Sequence, residues 1–330
     1  MTDTKEYAFH NLYKKHRNDR KESFSFSFWH YTNIDGLMGI VRNSEVDRGK
    51  IHFWFTRCDC LNDTSEGNYI IALYKNVCNE LLDSKVISKD FYDGIIDLEI
   101  PDEQFINFPL PQKEERCYNS MLDCVPCDAF VCSFSLKEDS LDMWRYYSKG
   151  KGGYGLKFIY HIFDEQQKYE ITSYDSNAKF SCLKAFKVIY NSDEQKQILK
   201  TLLTDAYDVY FKFPDCISQI QGFIRSELKD FQFRFKHECF ESEQEYRYVF
   251  YRPKKKPQNL ENDLPEIKYR SQDGMMIPYL DIEVSKNAHV AEVLISPFIK
   301  NETALTTIKE YIKSCGFNNC KVRMSELPVR

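Results

Sequence analysis

No stretch of this 330-residue chain approaches the roughly 18 consecutive apolar residues of a membrane-spanning helix. The opening segment, MTDTKEYAFHNLYKKHRNDRK, is polar and charged and lacks the apolar core of a secretory signal, so the expectation is a cytoplasmic protein with no membrane partner. GxSxG, HExxH and Walker sequences are missing, which removes the hydrolases and nucleotide triphosphatases built on them. Gly150, Gly152, Gly153 and Gly155 match neither a dinucleotide fingerprint nor a phosphate loop. An excess of positive charge is also absent: the net charge of -5 excludes a protein-wide field for non-specific nucleic-acid binding and leaves room only for local basic patches. There is no internal repeat and no low-complexity tract.

Twelve cysteines are diluted through a long, intracellular-looking sequence and read mostly as reduced, buried thiols. Cys58 with Cys60 and Cys124 with Cys127 are the two pairs that bear on zinc. The first spacing is short for a zinc knuckle and neither pair has the usual flanking turn chemistry, so no metal is assigned.

Aromatic residues are abundant, with 22 Tyr and 25 Phe, and favour a folded, aromatic-rich core. In FSFSFWHYT, residues Phe24, Phe26, Phe28 and His30 alternate at period two, so an extended chain carries a histidine into a core-facing position. A short capped helix follows, with Ile34, Leu37, Met38 and Val41 at helical spacing behind Thr32 or Asn33. Further strands are expected at 50–57, 128–135 and 154–160, with a helix capped by Asp139 or Ser140 before the last. Residues 193–238 read as mostly helical, broken at Pro214. The pattern is α+β: one catalytic-type domain over 1–330 with a mainly helical insertion at about 193–238.

Three segments carry candidate chemistry. In ESEQEYRYVF an extended chain sets Glu243, Glu245, Arg247 and Val249 on one face, and such a face needs solvent, partners or a ligand because burying it bare is costly. An exposed antiparallel edge with a Glu/Arg ladder is the plainer alternative. In CLNDTSEG, Asn62, Asp63 and Glu66 can bind a metal or a ribose, or simply form a turn and a helix cap. In MWRYYSKGKGG, Trp144 and Tyr147 stand one helical turn apart, placed either to stack on a planar ring or to enter the core.

Taken in order, HYTNIDGLMGIV, FTRCDCLNDTSEG, FVCSFSLKEDSLDMWRYYSKGKGGYGLKF, FKHECFESEQEYR and SELPVR resemble a bacterial family of uncharacterised domains marked by HYT, NDPxE, SFS, MWxxY and ExEYR. The chain departs from that pattern at Thr64, where the family carries proline. A strand ending in histidine, the following short helix, a second strand with an aromatic and a hydroxyl residue and a late ExE strand are more distantly similar to the ADP-ribosyltransferase superfamily. That resemblance implies a split mixed or antiparallel sheet core with helical insertions, and NAD as substrate. It implies Glu245, Glu243 and His30 as catalytic residues. Around them it implies a cofactor site formed by His30, Tyr31, Thr32, Phe55, Asn62, Ser133, Trp144, Tyr147 and Arg247. The function implied is that of a toxin or anti-phage defence effector modifying a cellular macromolecule, RNA or DNA ahead of protein, held in check by an antitoxin partner. The nucleic-acid preference comes from the basic segment YRPKKKP at 251–257, which follows the ExE strand. The alternatives are a metal-dependent nuclease using Asp63, Glu66, Glu243, Glu245 and His30 with Mg²⁺ or Mn²⁺, and a non-catalytic sensor with a degenerate site.

Overall fold

Alternation and helical spacing translate directly into the elements of the computed structural model, which describes residues 4–18, 27–61, 66–100, 104–106, 125–148, 152–159, 170–172, 179–256, 263–272, 274–284 and 290–328. In chain order these are α1 (Lys5–Asn18), β1 (Ser27–Thr32), α2 (Ile34–Ile40), β2 (His52–Arg57), α3 (Glu66–Asp83), α4 (Lys89–Ile95), β3 (Gln104–Ile106), β4 (Val125–Ser135), α5 (Leu141–Ser148) and β5 (Tyr154–Ile159). Then come β6 (Glu170–Thr172), β7 (Lys179–Ser181), β8 (Leu183–Lys187), α6 (Ser192–Lys212), α7 (Ile217–Arg234), β9 (Glu245–Pro253), β10 (Ile267–Gln272), β11 (Met275–Glu283), β12 (Val290–Ile295), α8 (Thr303–Ser314) and β13 (Lys321–Met324). The architecture is α+β. Eleven strands form one open mixed sheet, antiparallel except for β12 beside β13, and β6 with β7 makes a separate pair.

The sheet divides at β4. One edge of β4 pairs with β9 along its length, from Cys127 opposite Pro253 to Ser135 opposite Glu245. Its other edge is shared by β3, by β2 at Val131 and Phe130, and by β1 only at Ser135. β1 and β2 therefore diverge from a common neighbour and leave a split between them. β1 continues the sheet through β5, β12 and β13, while β2 continues it through β11 and β10.

Cross-strand partners point to the same side of a sheet, so the registers assign every residue to a face. Phe28, His30, Phe53, Phe55, Phe130, Phe134, Tyr246, Tyr248, Phe250 and Leu280 share one face. This face belongs to the large core that also takes in Ile308 and Ile312 of α8. Each fully buried phenylalanine here contributes about 2–3 kcal/mol of hydrophobic stabilisation. The opposite face carries Trp29, Tyr31, Trp54, Thr56, Ser133, Ser135, Glu245, Arg247, Val249 and Tyr251. A second core holds α1, α3, α4, α6 and α7 together through Tyr74, Phe91, Leu202, Phe223 and Phe231. α7 meets the sheet at Asp230, which accepts from the Tyr251 hydroxyl at 3.0 Å and from Lys184.

Local chemistry sets the element ends. Asn33 caps α2 by accepting from the Gly36 N–H at 2.8 Å. A Cβ at Gly36 would lie 1.8 Å from the Thr32 hydroxyl, so only glycine lets the strand end meet the helix so closely. Pro214 separates α6 from α7 within a single short 3₁₀ turn. Among the described residues no helix is long and apolar enough to cross a membrane.

A buried carboxylate pair as the candidate functional site

Glu243 and Glu245 do not share a strand. The chain runs through a 3₁₀ turn, Glu238–Glu243, and Gln244 adopts φ 44°, a left-handed conformation that reverses direction before β9 begins at Glu245. The expected alternation through Glu243 is thus broken, yet the turn folds its carboxyl back beside that of Glu245. Nor is β9 an exposed edge carrying a charge ladder. It lies between β4 and β8 and is buried along almost all of both faces.

Two cations balance the pair. Lys236 places Nζ 2.9 Å from Oε2 of Glu243 and 2.6 Å from Oε1 of Glu245. Arg247 donates through Nε to Oε2 of Glu245 at 2.6 Å and through Nη2 to Oε1 at 3.2 Å. Glu243, Glu245, Lys236 and Arg247 are all 7% exposed or less. Burial alone would raise the pKa of Glu245, but Arg247, the hydrogen bond from Glu243 and Lys236 outweigh it and hold this carboxylate well below its ordinary range. Glu243 moves the other way, pushed up to about 7 by burial, by its hydrogen bond to Glu245 and by that neighbour's charge. One member is held as a carboxylate and the other titrates near neutrality.

The surrounding groups are placed by separate elements. Ser135 of β4 donates to the Glu243 carbonyl at 2.7 Å, and the Leu136 N–H donates to the Gln244 carbonyl, which fixes the turn. Tyr190 accepts the Glu245 N–H at 2.8 Å. Gln195 of α6 donates to the carbonyls of Ile189 and Lys236 and accepts from Tyr69, so the helical layer sets the position of the lysine backbone. The Lys236 ammonium also stands 4.5 Å from the centroid of Phe240. α5 packs against the 3₁₀ turn. Tyr147 on that helix is 36% exposed, and desolvation of its hydroxyl with the charges of Glu245 and Glu243 raises its pKa well above the ordinary value.

The other residues expected at the site are distributed differently. His30 lies at the split, on the face opposite Glu245, with ring centroids 5.4 Å from Phe53 and 5.3 Å from Phe134. Its Nδ1 is 3.0 Å from the Ser133 carbonyl and donates to it, leaving Nε2 as an acceptor. Burial lowers its pKa to about 4, the Ser133 hydrogen bond opposes this, and Arg270 adds to the lowering. The imidazole is therefore neutral at physiological pH. Ser133 stands across from Arg247. Phe55 is fully buried in the aromatic core. Trp144 is 1% exposed, edge-on to Tyr31 at 4.8 Å, and donates through Nε1 to Asp139, as a core residue does. Tyr31 is buried and donates to the Lys137 carbonyl. Thr32 packs on Gly36. Asn62 and Asp63 lie outside the described residues.

Sequence reasoning did not single out Lys236, Tyr190 or Ser135. Lys236 stands inside the quoted FKHECFESEQEYR, where one lysine among four acidic residues is a usable signal; nothing local marks the other two. The basic segment is corrected as well. Lys254, Lys255 and Lys256 follow the far end of β9, eight residues or roughly 26 Å of strand from Glu245, with the Lys254 N–H bound to the Pro126 carbonyl. Adjacency in sequence became distance because the intervening chain is an extended strand. All ten cysteines among the described residues are free thiols, six of them buried. Cys124 lies outside the described residues, and among them no group of three or more His, Cys, Asp or Glu is arranged to hold a metal.

A protein-family model described as a protein of unknown function, DUF2971, matches residues 143–248. That span contains Tyr147, Tyr190, Lys236, Glu243, Glu245 and Arg247 and excludes His30. No curated protein and no solved structure matches the chain.

Proposed function

We propose that this protein cleaves the bond between nicotinamide and ribose in NAD and transfers ADP-ribose to a cellular macromolecule, acting as a toxin or defence effector. The observation that carries the reading is the Glu243–Glu245 pair, two adjacent carboxyl groups whose pKa values are driven in opposite directions. Such a pair suits transfer at an anomeric carbon. As the C1′–N bond breaks, its electron pair leaves with nicotinamide and the ribose becomes oxocarbenium-like, a cation that a fixed anion such as Glu245 stabilises. The acceptor's oxygen or nitrogen then bonds to C1′, and its proton passes to Glu243, whose near-neutral pKa matches a general base. Tyr147 of α5 lies near enough for the charges of both carboxyl groups to act on it, and Arg247 and Lys236 keep Glu245 ionised. His30 acts from the split, holding β4 at Ser133 across from Arg247.

The test is incubation of purified protein with NAD labelled separately in nicotinamide and in phosphate, with cell lysate, with and without chelator. Chelator-independent release of nicotinamide is expected, with phosphate label in the RNA or the protein fraction, which identifies the acceptor class. No release from wild-type protein in any lysate overturns the proposal, and metal-dependent RNA or DNA breakage in its place supports the nuclease.

A further inference from the structure

The face that carries Glu245 extends across the split to a further cationic group, Arg270, with no acidic partner among the described residues. By register, Arg270 pairs with Ile277, Tyr279 with Thr56, Thr56 with Val131 and Val131 with Val249, so Arg270, Tyr279 and Thr56 lie on the face of Arg247 and Glu245. The Arg270 guanidinium stands 5.4 Å from the Trp54 ring centroid and 5.6 Å from that of Tyr279. Its Nη2 donates to the Thr56 hydroxyl at 2.9 Å. α2 seats its backbone against the indole, since a Cβ at Gly39 would lie 2.5 Å from Cζ2 of Trp54. The guanidinium is therefore held in a fixed plane.

Other partly buried arginines meet a carboxylate, as Arg42 meets Asp281 and Arg323 meets Glu292, or backbone carbonyls, as Arg252 meets that of Pro265. Among the described residues Arg270 meets no carboxylate, and burial lowers its pKa. Its charge is felt at His30 and at Cys132, which flank the split. The indole Nε1–H of Trp54, in the same cluster, is buried and has no acceptor among the described residues. A guanidinium without a carboxylate and an indole N–H without an acceptor, in a partly desolvated, aromatic-walled position, favour an anionic occupant, and a planar guanidinium suits the oxygens of a phosphate.

We infer that Arg270, braced by Trp54, Tyr279 and Thr56, forms a phosphate-binding subsite at the split that holds the diphosphate of a nucleotide. The identification of that nucleotide as NAD rests on the function proposed above; the preference for a phosphate rests on Arg270 itself. Two strand spacings and four residues along β9 separate Thr56 from Glu245, roughly 16 Å between backbones.

Calorimetric titration with inorganic pyrophosphate and with ADP-ribose tests this on the full chain. Wild-type protein should bind both in competition with one another. Arg270→Met should weaken each at least tenfold, and Arg270→Lys, which keeps the charge but loses the planar fork, should fall between. Wild-type protein that binds neither at millimolar concentration overturns the subsite, as does an Arg270→Met variant that binds both like wild type. If Arg270→Met does not fold, the wild-type competition and Arg270→Lys decide. Binding of ADP-ribose without pyrophosphate overturns the diphosphate as the recognised group. Pyrophosphate binding without nicotinamide release rejects NAD cleavage and leaves the subsite standing.

Discussion

Lys236 sets its ammonium 2.6 Å from Oε1 of Glu245, nine residues further along the chain, and 2.9 Å from Oε2 of Glu243. A lysine shared by two buried carboxyl groups is a strong local constraint, because each charge depends on the others for its desolvation to be offset. The partition of protons within the cluster is then biased by the second cation, Arg247, which makes two hydrogen bonds to Glu245.

Removal of charge at the two glutamates should have unequal effects on folding. Glu245→Gln removes the carboxylate that Arg247 and Lys236 both bond and should cost about 3–5 kcal/mol in urea unfolding. Glu243→Gln imitates the protonated acid and should cost less than about 1 kcal/mol near neutral pH. Equal losses in the two variants would mean that the two carboxyl groups share their charge evenly.

Catalysis should separate the same residues differently. Glu245→Gln should lower both nicotinamide release and transfer by about a hundredfold, the scale of losing one preorganised electrostatic group. Glu243→Gln should reduce transfer to the acceptor more than hydrolysis, since water needs less orientation than a specific nucleophile. Near-wild-type transfer by folded Glu245→Gln protein would remove Glu245 from the mechanism.

Opposing pH dependences are built into the fold. Glu243 is raised from 4.5 to about 7, so its contribution to stability is present below about 4.5 and is lost as pH rises through 7. His30 is lowered from 6.5 to about 4, so its contribution is present above about 6.5 and is lost as pH falls through 4. In wild-type protein the two slopes offset each other between pH 4.5 and 6.5. Glu243→Gln should therefore show stability rising with pH in that window, and His30→Gln stability falling, each by up to about 1.4 kcal/mol per pH unit. Urea midpoints measured across the window check the signs; parallel slopes in the two variants would contradict the assignment.

Charge reversal at Lys254, Lys255 and Lys256 should leave nicotinamide release within about twofold of wild type, because these side chains are exposed at the far end of β9 and screened from Glu245 over several Debye lengths. A tenfold loss measured at physiological salt would place the segment at the site after all.

Much of this protein is legible from local pattern. Period-two aromatics gave β1 and β4, helical spacing with Asn33 as cap gave α2, and the apolar repeat broken at Pro214 gave α6 and α7, because backbone geometry and burial of one face act over a few residues. The sequence also singled out Glu243, Glu245 and Arg247 as residues whose charges are hard to bury unaided, and Tyr147 as an aromatic placed to stack or to enter the core. Tertiary structure decided the rest. The left-handed turn at Gln244 took Glu243 off the strand, the register of β1 against β4 put His30 and Glu245 on opposite faces, and packing of α6 and α7 brought Lys236 to the carboxylates. Those outcomes depend on which strands pair and which helices cover them. A one-residue change in register exchanges the faces of a whole strand, and no local propensity fixes that choice.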